Sequence, residues 1–112
     1  MADLIKIAVD AMGGDNSPKK VIDGIIHNHK ENKGNFFKIF GDKNKIISLL
    51  KDEIESQYYE IIHTENFVFS TDSPLEAAKK GKDTSMWLAI ESVKNKEADI
   101  VISAGNTGAL LV

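Results

Sequence analysis

Two short segments hold the residues of this chain that are best suited to chemistry. The first, DAMGGDNSP, runs from Asp10 to Pro18 and contains two carboxylates and a glycine pair. The second, SAGNTGALL, begins at Ser103 and contains two further glycines. Each segment follows an apolar run and leads into a helical pattern. In sheets of parallel strands, such corners lie at the carboxyl ends of the strands, where ligands bind.

The second segment has the composition of an anion site. Gly105 and Gly108 flank Asn106 and Thr107, and Ser103 precedes them. Backbone N–H groups and the helix dipole favour an anion at the start of a helix, and glycines permit close approach of the backbone. The hydroxyl and amide side chains add further hydrogen bonds. An ordinary strand-to-helix turn with a capping residue is the alternative interpretation.

The first segment carries Asp10 and Asp15 around Gly13 and Gly14. The glycines permit a turn with positive φ. Asp15 precedes the predicted helix start, where it can interact with the helix N-terminus or form an Asx turn. We expect these residues to shape the loop. General acid/base catalysis and positioning through hydrogen bonds or a metal are the alternatives, and Asp10, Asp15 and Asn106 are the catalytic candidates.

A lysine-rich segment, KKGKDTS, occupies residues 79–85 and includes Lys82. Its simplest interpretation is a solvated helix end followed by the cap of the next helix, with Asp83 or Thr84 as the capping residue. Its functional interpretation is a cationic, hydroxyl-rich patch suited to a phosphate or an acidic protein partner.

Several functions are disfavoured by composition. The chain of 112 residues has a net charge of −3, no cysteine, and only lysine among its 14 basic residues. It has no basic stripe for nucleic acid, no thiolate chemistry and no guanidinium to clamp an anion. Neither a P-loop motif nor a dinucleotide-binding GxGxxG motif is present. The three histidines lack metal-ligand spacing, so we expect no metal site, and no signal peptide or membrane span is expected.

The remaining pattern predicts an α/β fold with a parallel sheet. Four apolar runs are typical of strands, and the first and last are continuous enough to be buried on both faces. Amphipathic helical patterns separate them, so that the order is strand, helix, strand, helix, strand, loop with helices, strand. The predicted strands are Leu4–Val9, Phe36–Phe40, Tyr58–His63 and Asp99–Ser103. The first predicted helix begins at a Ser17 cap, and the second extends over about Asp42–Glu55 with Ile46, Ile47, Leu50 and Ile54 pointing inward. A short helical turn is predicted to start at Ser73-Pro74, and a later helix carries Met86, Ala89, Ile90 and Val93 on one face.

The apolar ending Leu111-Val112 predicts that residues 1–112 form a single, incomplete α/β domain. Four strands with an unfinished last helix are expected to expose one apolar edge of the sheet, which favours aggregation.

Three motifs together resemble a known family. IAVDAMGGDNSP, DSPLEAAKKGKDTSM and ADIVISAGNTGALL are similar, in order and spacing, to the N-terminal part of the phosphate acyltransferase (PlsX) family of bacterial phospholipid synthesis. The resemblance extends from residue 5 to residue 111. It implies a Rossmann-like α/β/α sandwich related to phosphotransacetylases and isocitrate dehydrogenase, of which this chain is the N-terminal portion.

The resemblance also implies an activity. Members transfer a fatty acyl group from acyl carrier protein to inorganic phosphate, without a cofactor, and a membrane-bound partner uses the acyl phosphate to acylate glycerol 3-phosphate. They are homodimers, cytoplasmic but active at the inner face of the membrane. The alternatives are a short-chain enzyme that uses coenzyme A and a truncated, non-catalytic remnant.

Site roles follow from the same resemblance. Phosphate and substrate binding is expected at Gly13, Gly14, Lys82, Ser103, Gly105, Asn106, Thr107 and Gly108. Asp10 and Asp15, which are poor phosphate ligands when ionised, are expected to orient loop amides or a neighbouring lysine. This chain departs from the family in one respect: a glycine interrupts the basic run AAKKGKDTS, where the family is more continuous.

Overall fold

The computed structural model describes residues 4–14, 16–66 and 84–103. Within these ranges the chain forms four strands, three α-helices and one turn of 3-10 helix. In chain order they are β1 (Ile5–Asp10), α1 (Lys19–Glu31), β2 (Asn35–Gly41), α2 (Lys43–Leu50), the 3-10 turn (Ser56–Tyr58), β3 (Tyr59–His63), α3 (Ser85–Lys94) and β4 (Ile100–Ser103). The predicted helical turn at Ser73-Pro74 lies outside the described residues.

The four strands form one parallel sheet in the order β3-β2-β1-β4. β1 is therefore a central strand, and its last residue, Asp10, lies opposite Phe40 of β2 and Ser103 of β4. Since parallel strands end at the same edge, the carboxyl ends of β1 and β4 are neighbours. The α/β fold predicted from the sequence is confirmed.

Among the described residues, helices cover the two faces of the sheet unequally. On one face, α1 and α2 pack against alternate residues of β1 and β2, and the buried core there contains Ile7, Val9, Ala11, Ile22, Ile25, Phe37, Ile39, Ile46, Leu50 and Ile54. On the other face, α3 packs against Ala8 and Phe40 in a smaller cluster with Ala89 and Ala98. Asp10 shares this second face with Ala8, because side chains alternate along a strand.

The start of α1 differs from the sequence prediction. Ser17 is not the cap: the helix begins at Lys19, Pro18 occupies the cap position, and the Ser17 hydroxyl is buried without a hydrogen-bond partner among the described residues. The reason is a turn that precedes the helix. The amide of Lys20, which a Ser17 cap would bind, donates instead to the carbonyl of Asn16 at 3.0 Å.

The second helix is shorter than predicted. It ends at Leu50 rather than near Glu55, because Lys51 and Asp52 adopt positive φ angles of 48° and 61°. Ile54 is nevertheless buried, beyond the helix end. Ile54 reaches the core from the segment between α2 and the 3-10 turn, and not from a further turn of α2.

Apolar side chains at two places are more exposed than predicted. In β4, the exposed fractions of Ile100, Val101 and Ile102 are 48%, 37% and 51%. Burial on both faces was the wrong expectation for this strand, because β4 is an edge strand in the described sheet. The apolar edge expected from the sequence is thus found at β4. Ile47, predicted to point inward from α2, is 48% exposed.

Candidate functional site

A buried carboxyl group joins three elements at the carboxyl edge of the sheet. Asp10, the last residue of β1, is only 1% exposed. Its Oδ1 accepts hydrogen bonds from the hydroxyl of Ser85 at 2.5 Å and from the amide of Met12 at 3.1 Å. Its Oδ2 accepts a hydrogen bond from the hydroxyl of Ser103 at 2.9 Å. We call Asp10, Ser85 and Ser103 the carboxyl-serine cluster.

Strand register brings Ser103 to Asp10. The two residues are partners in the parallel pairing of β1 with β4, and both side chains lie on the face that α3 covers. Each is the last residue of its strand. Parallel pairing therefore places a hydroxyl beside a carboxyl at the edge where α/β proteins bind ligands.

The cap of α3 brings Ser85 to the same point. Thr84 occupies the cap position, as one of the two sequence alternatives predicted, and its hydroxyl accepts from the amide of Trp87 at 3.2 Å. Ser85 is then the first helical residue and is fully buried. Its amide donates to the carbonyl of Asn66 at 2.9 Å, which ties the start of α3 to the segment that follows β3.

Burial dominates the electrostatics of Asp10. Loss of contact with water raises the pKa of its carboxyl above the ordinary value of 3.8, because a charge is poorly solvated in the protein interior. The hydrogen bonds from Ser85, Ser103 and Met12 act in the opposite direction but do not cancel the effect. The carboxyl of Asp10 therefore holds a proton more readily than an exposed aspartate does.

The turn after β1 packs tightly on the end of β2. Gly13 has a φ of 90°, in agreement with the positive φ expected from the glycine pair. Met12 is 4% exposed and lies against Gly41, where an added Cβ would come within 2.8 Å of the Met12 Cγ. The glycine at the end of β2 thus leaves the room that Met12 needs, and Met12 in turn places its amide on Asp10.

A groove adjoins the cluster on the α1 side. It has a volume of about 560 Å³ between α1, β1 and β4. Its polar residues at the carboxyl edge are Asp10, Ser17 and Lys20, whereas its other walls are mainly apolar. Lys20 therefore lines this edge of the sheet on the α1 face, whereas the Asp10 carboxyl lies on the α3 face, so an anion that entered the groove would meet a cation.

The described residues include part of the predicted site. Asp10 and Ser103 are brought into contact, and Gly13 and Gly14 lie in the adjacent turn. The other predicted site residues, which lie outside the described residues, are Asp15, Lys82, Gly105, Asn106, Thr107 and Gly108. Asp10 does bind a loop amide, that of Met12. Its other partners among the described residues are serine hydroxyls, and a neighbouring lysine, the second of the two predicted alternatives, is not among them.

Sequence reasoning missed the partnership of Ser85 with Asp10. The residue stands in the KKGKDTS segment, where its hydroxyl was noted only as part of a polar patch. One feature of the sequence could have indicated this contact. Ser85 is a small polar residue at the first position of the helix, on the same buried side as the apolar residues Met86 and Ala89. Such a residue is buried beside a strand end and needs a hydrogen-bond partner there.

Metal-binding clusters and membrane-spanning helices are both absent from the part of the chain that the structure describes. No group of three histidine, aspartate or glutamate side chains there is placed to hold a metal ion. No helix there is both long and apolar enough to cross a bilayer.

Sequence comparison identifies the family. Residues 5–112 match the model of a family described as fatty acid synthesis protein. The chain belongs to this family. The resemblance noted in the sequence motifs is therefore confirmed.

Curated relatives in this family share a printed name. The chain is 65% identical over its whole length to the phosphate acyltransferase of Pelagibacter ubique, of which it covers 33%. It is 46% identical over 96% of its length to the phosphate acyltransferase of Listeria welshimeri, and 43% identical to that of Enterococcus faecalis. The chain thus belongs to a family of enzymes, and it spans about a third of the length of these relatives.

Proposed function

We propose that this chain is the first part of an enzyme that transfers a fatty acyl group from acyl carrier protein to inorganic phosphate. The product, an acyl phosphate, serves phospholipid synthesis. The observation that carries the proposal is the match over the whole chain, at 65% identity, to a relative named phosphate acyltransferase. Because the chain covers 33% of that relative, the activity is proposed for the chain joined to the rest of the family fold.

The reaction needs no nucleophilic side chain. A phosphate oxygen attacks the thioester carbonyl carbon, a C–O bond forms, and the C–S bond breaks as the tetrahedral intermediate collapses. The thiolate of the carrier leaves and takes up a proton, while phosphate gives up its own. The enzyme must therefore hold an anion and stabilise the oxyanion that develops on the carbonyl. A chain without cysteine is compatible with this chemistry.

The carboxyl edge supports the proposal geometrically. Ser103 ends β4 beside Asp10, and the segment that follows it is the one whose composition suits an anion. In the proposal, Ser103, Gly105, Asn106, Thr107 and Gly108 bind phosphate. Asp10 and the turn with Gly13 and Gly14 shape the site around them, and Lys20 adds positive charge in the adjoining groove.

Partners and location belong to the same proposal. The acyl donor is acyl carrier protein, and the acceptor of the next step is glycerol 3-phosphate, acylated by a membrane-bound enzyme. An acyl phosphate is amphiphilic, which suits its transfer at a membrane surface. In this proposal the enzyme is a homodimer, cytoplasmic, and active at the inner face of the membrane. These statements rest on the family resemblance.

The test uses a chimera in which this chain replaces the first third of the Pelagibacter ubique relative. We expect the chimera to release free carrier thiol and to form acyl phosphate when fatty acyl carrier protein and phosphate are both present. Omission of either substrate is the control. No acyl phosphate from a folded chimera would contradict the proposal.

Two alternatives are outcomes of the same assay. Acetyl-coenzyme A in place of the fatty acyl carrier protein tests the short-chain enzyme, which would prefer it. A folded chimera that forms no acyl phosphate from either donor, under conditions in which the intact Pelagibacter ubique relative turns over, supports the non-catalytic remnant. Asn106→Ala in the chimera should lower acyl phosphate formation if the segment after Ser103 binds phosphate.

A further inference from the structure

The two oxygens of Asp10 are held differently. Oδ1 accepts from an amide, that of Met12, and from the hydroxyl of Ser85. An amide is a donor only and cannot reverse its hydrogen bond, so Oδ1 must accept from Met12 in every protonation state, and as a carbonyl oxygen it can accept from Ser85 as well. Oδ2 accepts from the hydroxyl of Ser103, and a hydroxyl can both donate and accept. A proton on Oδ2, facing Ser103, therefore preserves both hydrogen bonds to Oδ1, whereas a proton on Oδ1 would require the Ser85 hydroxyl to reverse beside the fixed Met12 amide.

The position of that proton fixes the direction of the Ser103 hydroxyl. When Asp10 is ionised, it can only accept, so the hydroxyl of Ser103 points its proton at Oδ2. When Asp10 is protonated, Oδ2 donates to the Ser103 oxygen, and the hydroxyl can turn its own proton to another acceptor. At the end of β4, an anion is such an acceptor.

We propose that Asp10 is a positioning residue for the phosphate acceptor: in its protonated form it turns the Ser103 hydroxyl into a hydrogen-bond donor to phosphate. This inference rests on the proposed function, and it adds a protonation state and a residue pair that act together. Phosphate binds more tightly to the protonated form, and by linkage its binding takes up a proton at Asp10.

Two properties of the site agree with this role. An ionised Asp10 beside phosphate would repel it, and the protonated form removes that repulsion. Burial already raises the pKa of Asp10, so the protonated form is reached more easily than in an exposed aspartate. The Ser85 hydroxyl and the Met12 amide hold Oδ1 in place and leave the Oδ2 side as the one that changes.

Other charges around Asp10 are peripheral to this exchange. Lys20 on α1 lines the adjoining groove, and Lys38 on β2 lies on the same sheet face, where it pairs with Glu60 at 3.8 Å. On α1, His29 is buried. The other titratable side chains of the adjoining described elements are at exposed positions and are Lys6, Lys19, Asp23, His27, Lys30, Glu31, Glu91, Lys94 and Asp99. The described hydrogen bonds to the Asp10 carboxyl come from Met12, Ser85 and Ser103.

The test is the pH dependence of the KM for inorganic phosphate in the chimera and in its Asp10→Asn variant. Asparagine has the shape of aspartate, can accept through its oxygen from Met12 and Ser85, and can donate through its amide to Ser103. It thus imitates the protonated form. We expect the KM of the parent to rise with pH relative to that of the variant, with kcat affected less. The ionisation of phosphate itself affects both proteins alike, so the difference isolates Asp10.

Ser103→Ala supplies a second variant at a partly exposed position. It should raise the KM for phosphate roughly tenfold or more, because a hydrogen bond to a charged group is lost. In the Ser103→Ala background, Asp10→Asn should no longer change the pH dependence of the KM for phosphate. Ser92→Ala, which removes another buried hydroxyl of α3, is the control and should leave the KM unchanged.

The outcomes separate the two proposals. A chimera that forms no acyl phosphate contradicts the proposed function. A chimera that is active, with the same pH dependence of the phosphate KM in parent and Asp10→Asn, contradicts the positioning role of Asp10 alone. Calorimetric titration of inorganic phosphate into both proteins, in buffers of different ionisation enthalpy, measures the proton taken up on binding. Equal proton uptake by parent and variant would also overturn the inference.

Discussion

The hydroxyl of Ser85 donates to Oδ1 of Asp10 at 2.5 Å, although 75 positions separate the two residues in the sequence. This hydrogen bond joins the start of α3 to the end of β1. With the bond from Ser103, it fixes three elements at one carboxyl group. A buried carboxyl that loses a hydrogen-bond donor has no water to replace it. Small substitutions in the cluster should therefore lower the free energy of unfolding.

Ser85→Ala should destabilise the chain by about 1–3 kcal/mol, because it removes a hydrogen bond and leaves a buried carboxyl oxygen with one donor fewer. Ser92→Ala is the matched control on the same helix: Ser92 is 4% exposed, and its hydroxyl has no partner among the described residues. The control should change the free energy of unfolding by less than about 0.5 kcal/mol or stabilise the chain. Urea unfolding measures both, and equal effects would contradict the role of Ser85.

The raised pKa of Asp10 makes stability depend on pH with a definite sign. Above the ordinary value of 3.8, an unfolded Asp10 loses its proton while the folded one still holds it. The folded state then binds more protons, so the free energy of unfolding falls as pH rises, up to the raised pKa. Asp10→Asn removes this contribution. The stability of the parent relative to that variant should therefore decrease with pH across this window.

Glu53 is a control for the pH dependence of stability, because its pKa is shifted in the opposite direction to that of Asp10. A hydrogen bond and ion pair with Lys30 lower the pKa of Glu53 below its ordinary value of 4.5. Its contribution is present above that value and is lost as pH falls through the lowered pKa. Glu53→Gln should therefore remove a term that increases with pH. A parent-minus-variant difference of the same sign for Glu53 and Asp10 would contradict the assignment.

Two glycines should respond oppositely to alanine. At Gly41 an added Cβ would lie 2.8 Å from the Met12 Cγ and 3.1 Å from the Ile46 Cδ1, so Gly41→Ala should displace Met12 and destabilise the chain by about 1–3 kcal/mol. At Gly24, inside α1, an added Cβ meets nothing within 4 Å. Gly24→Ala should stabilise the chain by about 0.5–1 kcal/mol, the difference in helix propensity. Thermal unfolding of both variants checks the contrast.

The apolar edge at β4 should promote association of the isolated chain. Ile102 is 51% exposed, and an exposed apolar edge strand is a template for pairing with another molecule. Ile102→Thr should reduce light scattering at high protein concentration and change stability by less than about 0.5 kcal/mol. The same substitution at Ile39, which is fully buried, should cost about 1–3 kcal/mol. Unchanged scattering in Ile102→Thr would show that the edge is not the site of association.

Local patterns were sufficient to predict the strands and helices, though not all their ends, and the sheet edge at which the carboxyl-serine cluster lies. Continuous apolar runs indicated β1 and β4, and the Thr84 cap indicated the start of α3. These features depend on residues close together in the sequence. Asp10 was placed at the carboxyl edge for the same reason, since it follows directly on a buried strand.

Contacts between distant segments were not predictable in this way. The distance between Ser85 and Asp10 depends on which sheet face α3 covers, and no local pattern specifies that. The Ser17 cap failed because a competing backbone hydrogen bond, from Lys20 to Asn16, satisfies the amide that the cap would have bound. The exposure of Ile102 depends on the order of strands in the sheet, with β4 at its edge.

The most direct test of the central claim follows the oxygen atoms of phosphate. The chimera is supplied with fatty acyl carrier protein and phosphate labelled with heavy oxygen, and the product is analysed by mass spectrometry. The account predicts an acyl phosphate that retains all the labelled oxygens, because a phosphate oxygen attacks the thioester carbonyl and the C–S bond breaks. A folded chimera that gives no labelled acyl phosphate, or that releases only free fatty acid, would contradict it.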